Sequence, residues 1–245
     1  MKFRIARGKE GCISHYDIFD VEIRKGMTVL DALFQIQDMQ DPSLSFRYAC
    51  RGAICGSCGM LIDKVPRLAC RTQIVSLKTP KAEIKLKSFE AFTEAPSDWN
   101  KESEILVEPL PNLPLLNDLV VDMKKFYDAL EALKLWGDPL KGEEPRIQSP
   151  IDHKQIERYV GCIMCALCFG SCPINASNEE YLGPAALAKA WRFYSDSRTP
   201  DKIRYLAAAK APEGAPLCDL IMNCVRACPK GVAPGGAIRK IKKKA

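Results

Sequence analysis

The sequence contains no apolar run approaching the ~20 residues that a membrane-spanning helix requires, so we expect no transmembrane segment. Its first residues, Met1 to Ile5, lack the apolar core and the small-residue cleavage site of a signal peptide. A large excess of charge is also missing, since the formal net charge is only +6 and arginine is not interleaved with aromatic residues. These absences argue against an integral membrane protein, an exported protein and a nucleic-acid-binding protein.

Cysteine, in contrast, is abundant, with 12 in 245 residues. Because no export signal is seen, this abundance indicates metal binding rather than disulfide bonds. All but Cys12 fall in spaced clusters, and we interpret Cys12 as an incidental thiol. A chain of this length has room for one large or two modest domains, each with a hydrophobic core of its own.

The segment 162–173 carries three cysteines spaced two residues apart, a fourth after three more residues, and then Pro173. This is the spacing of bacterial ferredoxins, in which the fourth cysteine binds the other cluster of a two-cluster domain. A second run at 218–229 has the same outline but carries Ile221 where the first carries Cys165. Exchanging the fourth cysteines predicts a 4Fe–4S site and a three-thiolate 3Fe–4S site. The 4Fe–4S set is Cys162, Cys165, Cys168 and Cys228, and the 3Fe–4S set is Cys172, Cys218 and Cys224.

A third cysteine cluster lies in the first hundred residues. Cys50, Cys55 and Cys58 follow the C-x4-C-x2-C spacing of plant-type 2Fe–2S proteins, and Cys70 supplies a fourth thiol. Three glycines in or next to this loop predict positive φ angles that bring backbone N–H groups close to the sulfurs. These glycines are Gly52, Gly56 and Gly59. A zinc ribbon is the alternative, although it usually has two short cysteine pairs a dozen or more residues apart.

The residues around this cluster predict a small, mainly β domain. Apolar residues alternate over 19–23, which is typical of a half-buried strand, and a turn follows at 24–26. Thr28 and Asp31 predict the start of a short helix that ends before Asp41. Alternation within 81–107 predicts further strands. Strand, turn, helix and metal loop in this order indicate a β-grasp ferredoxin domain over 1–110.

The segment 108–114 contains three prolines and shows neither helical nor strand periodicity, so we place the domain boundary there. Apolar residues from Leu116 to Leu133 predict a long amphipathic helix, ended by Gly137 and Pro139. Further helices are predicted at 183–191 and 201–210. The predicted fold class is therefore α+β, with an all-α, bacterial-ferredoxin-like domain over 111–245.

The C-terminal segment 239–244 carries five basic residues. Our default interpretation is a solvated end. Because the rest of the chain is only mildly basic, contact with an anionic membrane surface is the second interpretation.

This ordered set of motifs closely resembles the iron–sulfur subunit of succinate dehydrogenase and quinol:fumarate reductase. Beyond the cysteine loops, matching segments lie at 68–70, 118–123, 183–185 and 221–230. The resemblance implies a relay of single electrons along 2Fe–2S, 4Fe–4S and 3Fe–4S clusters. It implies two kinds of partner: a flavoprotein with covalent FAD that interconverts succinate and fumarate, and a membrane anchor, often with haem b, that binds quinone. No catalytic acid or base is expected in this chain, and its expected location is peripheral, on the cytoplasmic face of the cell membrane.

The resemblance also places part of a quinone site beside the 3Fe–4S cluster, at Pro173, Ile221 and Lys242. Many ubiquinone-linked enzymes have a tryptophan shortly after the proline, where this chain has Ala176 and Ser177. They also have a histidine just after the first cysteine of the second run, where this chain has Asp219. These departures favour menaquinone and a fumarate reductase.

Three alternatives stay open at the level of sequence. The chain is similar to iron–sulfur partners of other flavin-dependent dehydrogenases, although those usually add cysteine-rich C-terminal repeats. A zinc-stabilised binding module would need an outside fourth ligand at the three-cysteine set. A free soluble ferredoxin would not need the long helix, the proline-rich joint and the basic tail.

Overall fold

The structure is a computed structural model that describes residues 1–79, 84–90, 93–136 and 146–244. Its first part contains seven strands and two helices, and its second part is helical. The elements of the first part are β1 Lys2–Lys9, β2 Cys12–Asp20, α1 Val29–Met39, β3 Gly59–Ile62, β4 Val65–Leu68, α2 Ile74–Leu77, β5 Glu104–Glu108, β6 Leu115–Asn117 and β7 Val120–Val121. The helices that follow are α3 Lys124–Ala132, α4 Pro150–Val160, α5 Leu167–Gly170, α6 Pro173–Ser177, α7 Gly183–Ser195, α8 Lys202–Ala209, α9 Asn223–Arg226 and α10 Pro234–Lys243.

The strands form one mixed sheet with β1 at its centre. β1 pairs in parallel with β5 and antiparallel with β2, and β3 joins β5 to β4. Helix α1 lies across one face of this sheet, because its apolar residues recur at helical spacing and are buried with Phe3 and Ile105. A sheet grasping one helix, followed by a helical ferredoxin-like region, is the α+β fold that the sequence predicts.

Local signals account for the start and end of α1. The Thr28 hydroxyl accepts a hydrogen bond from the Asp31 N–H, and the Asp31 carboxylate accepts one from the Thr28 N–H at 2.8 Å, which confirms the predicted cap. The helix ends at Met39, before Asp41, as predicted. The strand predicted at 19–23 ends earlier, at Asp20, although Val21 remains buried and bonds the Met1 carbonyl.

The long helix predicted from Leu116 is wrong in its first part. Residues 115–117 and 120–121 form a β-hairpin instead, and the helix begins at Lys124. The turn of the hairpin is Asp118, which has φ 49° and is buried, and its carboxylate accepts hydrogen bonds from Arg7 Nε and the Ser45 N–H. These contacts to distant parts of the chain override the local helical periodicity. The predicted terminators, Gly137 and Pro139, lie outside the described residues.

The strand predicted near residue 84 is also wrong where the structure describes it, since 84–90 contains no strand. Residues 81–83 of that prediction lie outside the described residues. The strand predicted at 105–107 is confirmed within β5. The division of the chain at residue 110 stays a prediction, and the sheet itself continues through the hairpin to Val121.

The helical region is built around α7, which packs against α4, α8 and α10. The predicted helices at 183–191 and 201–210 are confirmed, with Pro184 in the first turn of α7 and the Asp201 side chain capping α8. One hydrophobic core joins both parts of the chain, because residues of α5 and α7 pack with the sheet and α1. Those residues are Leu167, Phe169 and Ala185. Among the helices of the described residues, none is long and apolar enough to span a membrane.

Candidate metal centres

The first cysteine set is assembled by the β3–β4 hairpin. Cys58 lies immediately before β3 and Cys70 shortly after β4, so pairing of these strands brings the two cysteines together. The Ala69 N–H donates to the Cys58 carbonyl at 3.0 Å, and the Cys70 N–H approaches Cys58 Sγ at 3.5 Å. Cys58 is buried, whereas Cys50 is exposed. One side of this cysteine set therefore faces the protein interior and the other faces solvent.

Backbone N–H groups of the loop point at its sulfurs, as the sequence predicts. Cys50 Sγ accepts from Ile54 at 3.2 Å and from Gly52 and Cys55 at 3.3 Å each. Cys70 Sγ accepts from Ala53 at 3.3 Å. Such N–H groups stabilise thiolates and favour the more negative, reduced form of a cluster.

The glycine prediction is correct only at Gly56, which has φ 78°. The other left-handed residues of the loop are Arg51 and Ala53, and the Arg51 guanidinium lies 4.8 Å from the centre of the Phe34 ring. Gly59 is needed for space instead, since a Cβ there would lie 2.9 Å from the Cys165 carbonyl oxygen. Gly56 has a second reason to be glycine, because its Cβ would lie 2.9 Å from Cys165 Cα. The first loop thus packs directly against the second cysteine set.

The two ferredoxin runs share one backbone conformation, which supports the register predicted between them. Met164 and Ala166 have positive φ angles of 53° and 58°, and Leu220 and Met222, at the matching positions, have 54° and 70°. A four-residue helix follows each pair, α5 in the first run and α9 in the second. In this register Ile221 occupies the place of Cys165.

The structure places the fourth cysteine of each run in a cavity with cysteines of the other run. One cavity is lined by the predicted 4Fe–4S cysteines and by apolar residues that include Ile163, Ala185 and Val232. A second cavity is lined by the predicted 3Fe–4S cysteines together with Pro173, Tyr181 and Ile221. The cysteines of the first cavity are Cys162, Cys165, Cys168 and Cys228, and those of the second are Cys172, Cys218 and Cys224.

The donor sets suit iron–sulfur clusters. All are soft thiol ligands of the kind that iron–sulfur clusters take, and the mainly apolar walls of the two cavities limit solvent access there. Burial raises the pKa of Cys165 and Cys224 to about 12, whereas the Cys50 N–H and then Ser57 lower the pKa of Cys55 to about 6. The Cys165 and Cys224 thiols therefore keep their protons at neutral pH until metal replaces them, so metal binding at the two inner sites, the four-cysteine and the three-cysteine cavity, releases protons.

Two asparagines that sequence reasoning missed hold the cysteine segments together. Asn112, in the proline-rich segment, donates to the carbonyl oxygens of Phe169 and Cys172 at 3.0 Å each. Asn223 exchanges two hydrogen bonds with the backbone of Lys87, at 2.9 and 2.8 Å, and donates to the Ser171 carbonyl at 3.1 Å. For Asn112 the sequence carried one signal, its position among prolines. Asparagine tolerates the left-handed conformation that Asn112 adopts, with φ 66°.

The predicted quinone-site residues are only partly brought together. Pro173 and Ile221 line the second cavity, and Asp219 lies at its exposed edge. Lys242 is not among the residues that line it; its Nζ donates to the carbonyl oxygens of Cys218, at 2.7 Å, and Pro216, at 3.3 Å. Lys242 thus fastens α10 to the backbone of a predicted cluster ligand.

The basic C-terminal segment is helical up to Lys243. It forms the last turns of α10, whose apolar side is buried through Ile238 and Ile241 while its basic side chains are exposed. The Lys240 ammonium lies 5.6 Å from the centre of the Trp191 ring. The basic side chains are solvated as expected, but they belong to a docked helix.

The chain matches two family models. Residues 2–128 match the "2Fe-2S iron-sulfur cluster binding domain", and residues 159–232 match the "4Fe-4S dicluster domain". These matches favour iron–sulfur clusters over the zinc alternative.

Among curated proteins, the chain is similar to fumarate reductase iron-sulfur subunits. The protein of Escherichia coli O6:H1 is 36% identical over 229 residues, which cover 92% of this chain and 84% of the relative. That of Mycobacterium tuberculosis is 36% identical over 236 residues, covering 93% and 84%, respectively. Among solved structures, a chain of the Mycobacterium smegmatis Sdh1 complex in the apo form shares the fold, with a TM-score of 0.79, 24% identity, and coverage of 99% of this chain and 93% of that chain.

Proposed function

Because the chain belongs to the family of fumarate reductase and succinate dehydrogenase iron–sulfur subunits, we propose that it carries single electrons between a flavoprotein and quinone at a membrane anchor. The chain is thus one part of an oxidoreductase complex and does not perform the dicarboxylate chemistry itself. We assign Cys50, Cys55, Cys58 and Cys70 to a 2Fe–2S cluster. The two crossed sets hold the 4Fe–4S cluster and the 3Fe–4S cluster that this family also carries.

The observation that supports this proposal is the contiguity of the three cysteine sets. Gly56 and Gly59 of the first loop lie against the backbone of Cys165 in the second set. Cys168 of the second set lies close enough to Cys224 of the third for their charges to interact, so the three sets form a contiguous series. When bound, iron–sulfur clusters supply one-electron oxidation and reduction. The chain contributes the close approach of the sets, because Gly56 and Gly59 leave no side chain between the first set and the second.

The two ends of this series of cysteine sets have surfaces that suit two different partners. At one end Cys50 and Ile54 are exposed, and we propose that this end receives electrons from, or returns them to, FAD in the flavoprotein. At the other end Asp219 and Ile221 border the third set. We propose that this end meets a membrane anchor, often with haem b, at the cytoplasmic face of the membrane. The exposed basic side of α10 lies at this end, bonded to Cys218 through Lys242, and suits an anionic membrane surface.

We further propose menaquinone as the quinone and fumarate reduction as the activity of the complex. The support is the small, exposed side chains of Ala176 and Ser177, and an acidic residue at Asp219. These residues depart from the tryptophan and histidine of ubiquinone-linked relatives.

Purification from membranes tests the proposal. A tagged chain should retain a flavoprotein and a membrane-embedded subunit, and electron paramagnetic resonance (EPR) of the complex should resolve 2Fe–2S, 4Fe–4S and 3Fe–4S signals. Extracted lipid should contain menaquinone in a fixed ratio to the complex. A chain that purifies alone with three clusters would contradict the proposed partners. Bound ubiquinone would contradict the proposed quinone while leaving the relay intact.

A further inference from the structure

Tyr181 is the one aromatic residue among the described residues that line the three-cysteine cavity. Its side chain is 2% exposed, and its hydroxyl oxygen is buried without a hydrogen-bond partner of normal geometry among the described residues. The Cys218 thiol lies close enough to the hydroxyl to interact with it. A buried hydroxyl without a partner is unfavourable, so its presence calls for an acceptor that enters the cavity.

The surrounding structure keeps the hydroxyl facing the cavity. The Tyr181 carbonyl accepts a hydrogen bond from Asn175 Nδ2 at 3.2 Å, and the next residue, Leu182, donates its N–H to the Glu213 carbonyl at 3.0 Å. The ring itself packs with Cys172 and Leu187 in a further hydrophobic cluster, which lies in the helical region. With both the backbone and the ring fixed, rotation of the hydroxyl into solvent is blocked.

We infer that the Tyr181 hydroxyl donates a hydrogen bond to a sulfur of the 3Fe–4S centre and thereby raises its reduction potential. The inference rests on the proposed assignment of Cys172, Cys218 and Cys224 to that centre. A phenol is protonated at neutral pH and can donate, and thiolate or sulfide sulfur can accept. Because the reduced centre carries one more negative charge, the donor stabilises it more than the oxidised centre.

The neighbouring four-cysteine cavity offers a comparison within the same chain. The described residues that line it include Phe126, Ile163 and Val232, and none of its lining side chains carries a hydroxyl group. Tyr181 therefore distinguishes the two inner sites. The direction of the effect makes the 3Fe–4S centre the stronger electron acceptor of the two, which draws electrons toward the quinone end.

The test is a redox titration of the purified complex, monitored by EPR, with Tyr181→Phe. This variant keeps the ring and removes only the hydroxyl. We expect the equilibrium for one-electron reduction of the 3Fe–4S centre to fall about tenfold, a change of ~59 mV, with the other two centres unchanged. Tyr205→Phe is the matched control. It also removes a buried tyrosine hydroxyl, but that hydroxyl bonds the Trp136 carbonyl at 2.7 Å and lines neither cavity.

The outcomes separate this inference from the proposed function. Absence of a 3Fe–4S signal in the unmodified complex overturns both. A normal signal whose potential is the same in Tyr181→Phe overturns this inference alone. If Tyr181→Phe does not assemble, the unmodified sequence labelled with 3-fluorotyrosine replaces it. The more acidic phenol is a stronger donor, so the potential should rise, and an unchanged potential there also overturns the inference.

Discussion

The side-chain amide of Asn112 donates to the carbonyl oxygen of Cys172 at 3.0 Å, linking the proline-rich segment to the cysteine that the first ferredoxin run contributes to the second inner site. The same amide reaches Phe169 and Gly170, at 3.0 and 3.3 Å, so it caps the C-terminal end of α5. One side chain thus bonds three carbonyl groups at a helix end, where carbonyl groups lack helical partners, although the Phe169 carbonyl also accepts from the Cys172 N–H at 3.2 Å. It also sets the position of Cys172 relative to the N-terminal sheet.

Replacing Asn112 with glycine should loosen Cys172 without disturbing the backbone. Glycine accepts the left-handed conformation of residue 112 and removes only the amide, which leaves the buried Gly170 and Cys172 carbonyl groups without this donor at a cost of ~1–3 kcal/mol. We expect a lower 3Fe–4S content per chain, measured by quantitative EPR, and a lower thermal stability. Asn117→Gly is the control, since its amide bonds the Ser45 hydroxyl and none of the carbonyl groups around Cys172. Equal cluster content in Asn112→Gly and the unmodified protein would contradict this role.

Gly59→Ala should separate the first cysteine loop from the second set. The added Cβ would lie 2.9 Å from the Cys165 carbonyl oxygen and 3.3 Å from a Leu167 methyl group, so one of the two segments has to move. Overpacking of this kind costs ~1–3 kcal/mol. We expect weaker magnetic coupling between the reduced 2Fe–2S and 4Fe–4S centres and slower electron transfer between them.

Gly52→Ala is the matched control, because its Cβ would meet only the Cys50 carbonyl oxygen at an ordinary 3.6 Å and its φ is not left-handed. That variant should leave the magnetic coupling unchanged. If Gly59→Ala also leaves it unchanged, the close approach does not set the distance between the two centres.

The cysteine sets could be predicted from the sequence because their spacing along the chain determines which thiols can share a cluster. The start of α1 was predictable for a similar reason, since Thr28 and Asp31 are neighbours on one helical turn. The hairpin at 115–121 was not, because its conformation depends on the contact between Arg7 and Asp118, which lie far apart in the sequence. The periodicity of apolar residues alone cannot distinguish a helix from a β-hairpin in this segment.

The roles of Gly59, Asn112 and Tyr181 escaped prediction for the same physical reason. Gly59 suggested backbone freedom, and the structure shows instead that it makes room for Cys165. Tyr181 lies two residues before α7, and nothing in its neighbours along the chain indicates that its hydroxyl lies close to Cys218. Residues that act through contacts with distant parts of the chain cannot be recognised from their spacing along the sequence.

Lys242→Ala should affect the quinone end of the relay. Its ammonium group donates to the carbonyl oxygens of Cys218 and Pro216, so the substitution frees the end of α10 beside the third cysteine set. We expect a several-fold slower quinone-linked turnover, while succinate oxidation by an artificial acceptor at the flavin stays nearly intact. Lys243→Ala, on the exposed side of the same helix, is the control. An equal loss in both assays would assign Lys242 to assembly of the complex.

Ile221 is the residue on which the assignment of the two inner clusters depends. It stands in the second run where Cys165 stands in the first, and the positive φ angles on both sides of each position match. It also lines the cavity with Cys172, Cys218 and Cys224. Isoleucine cannot bind iron, so this cavity offers three thiol ligands where the other offers four.

Ile221→Cys should therefore supply a fourth thiolate and convert the 3Fe–4S centre to a 4Fe–4S centre. The 3Fe–4S EPR signal should disappear, and the iron content should rise by one atom per chain. The added thiolate brings negative charge to the cluster and should lower its reduction potential, which makes electron transfer to quinone less favourable. Ile221→Val changes the bulk without adding a ligand and should retain the 3Fe–4S signal. Two 4Fe–4S centres in the unmodified protein would show that the register between the runs is wrong. A full 3Fe–4S signal in Ile221→Cys would show that the side chain of residue 221 does not reach the position of a fourth iron.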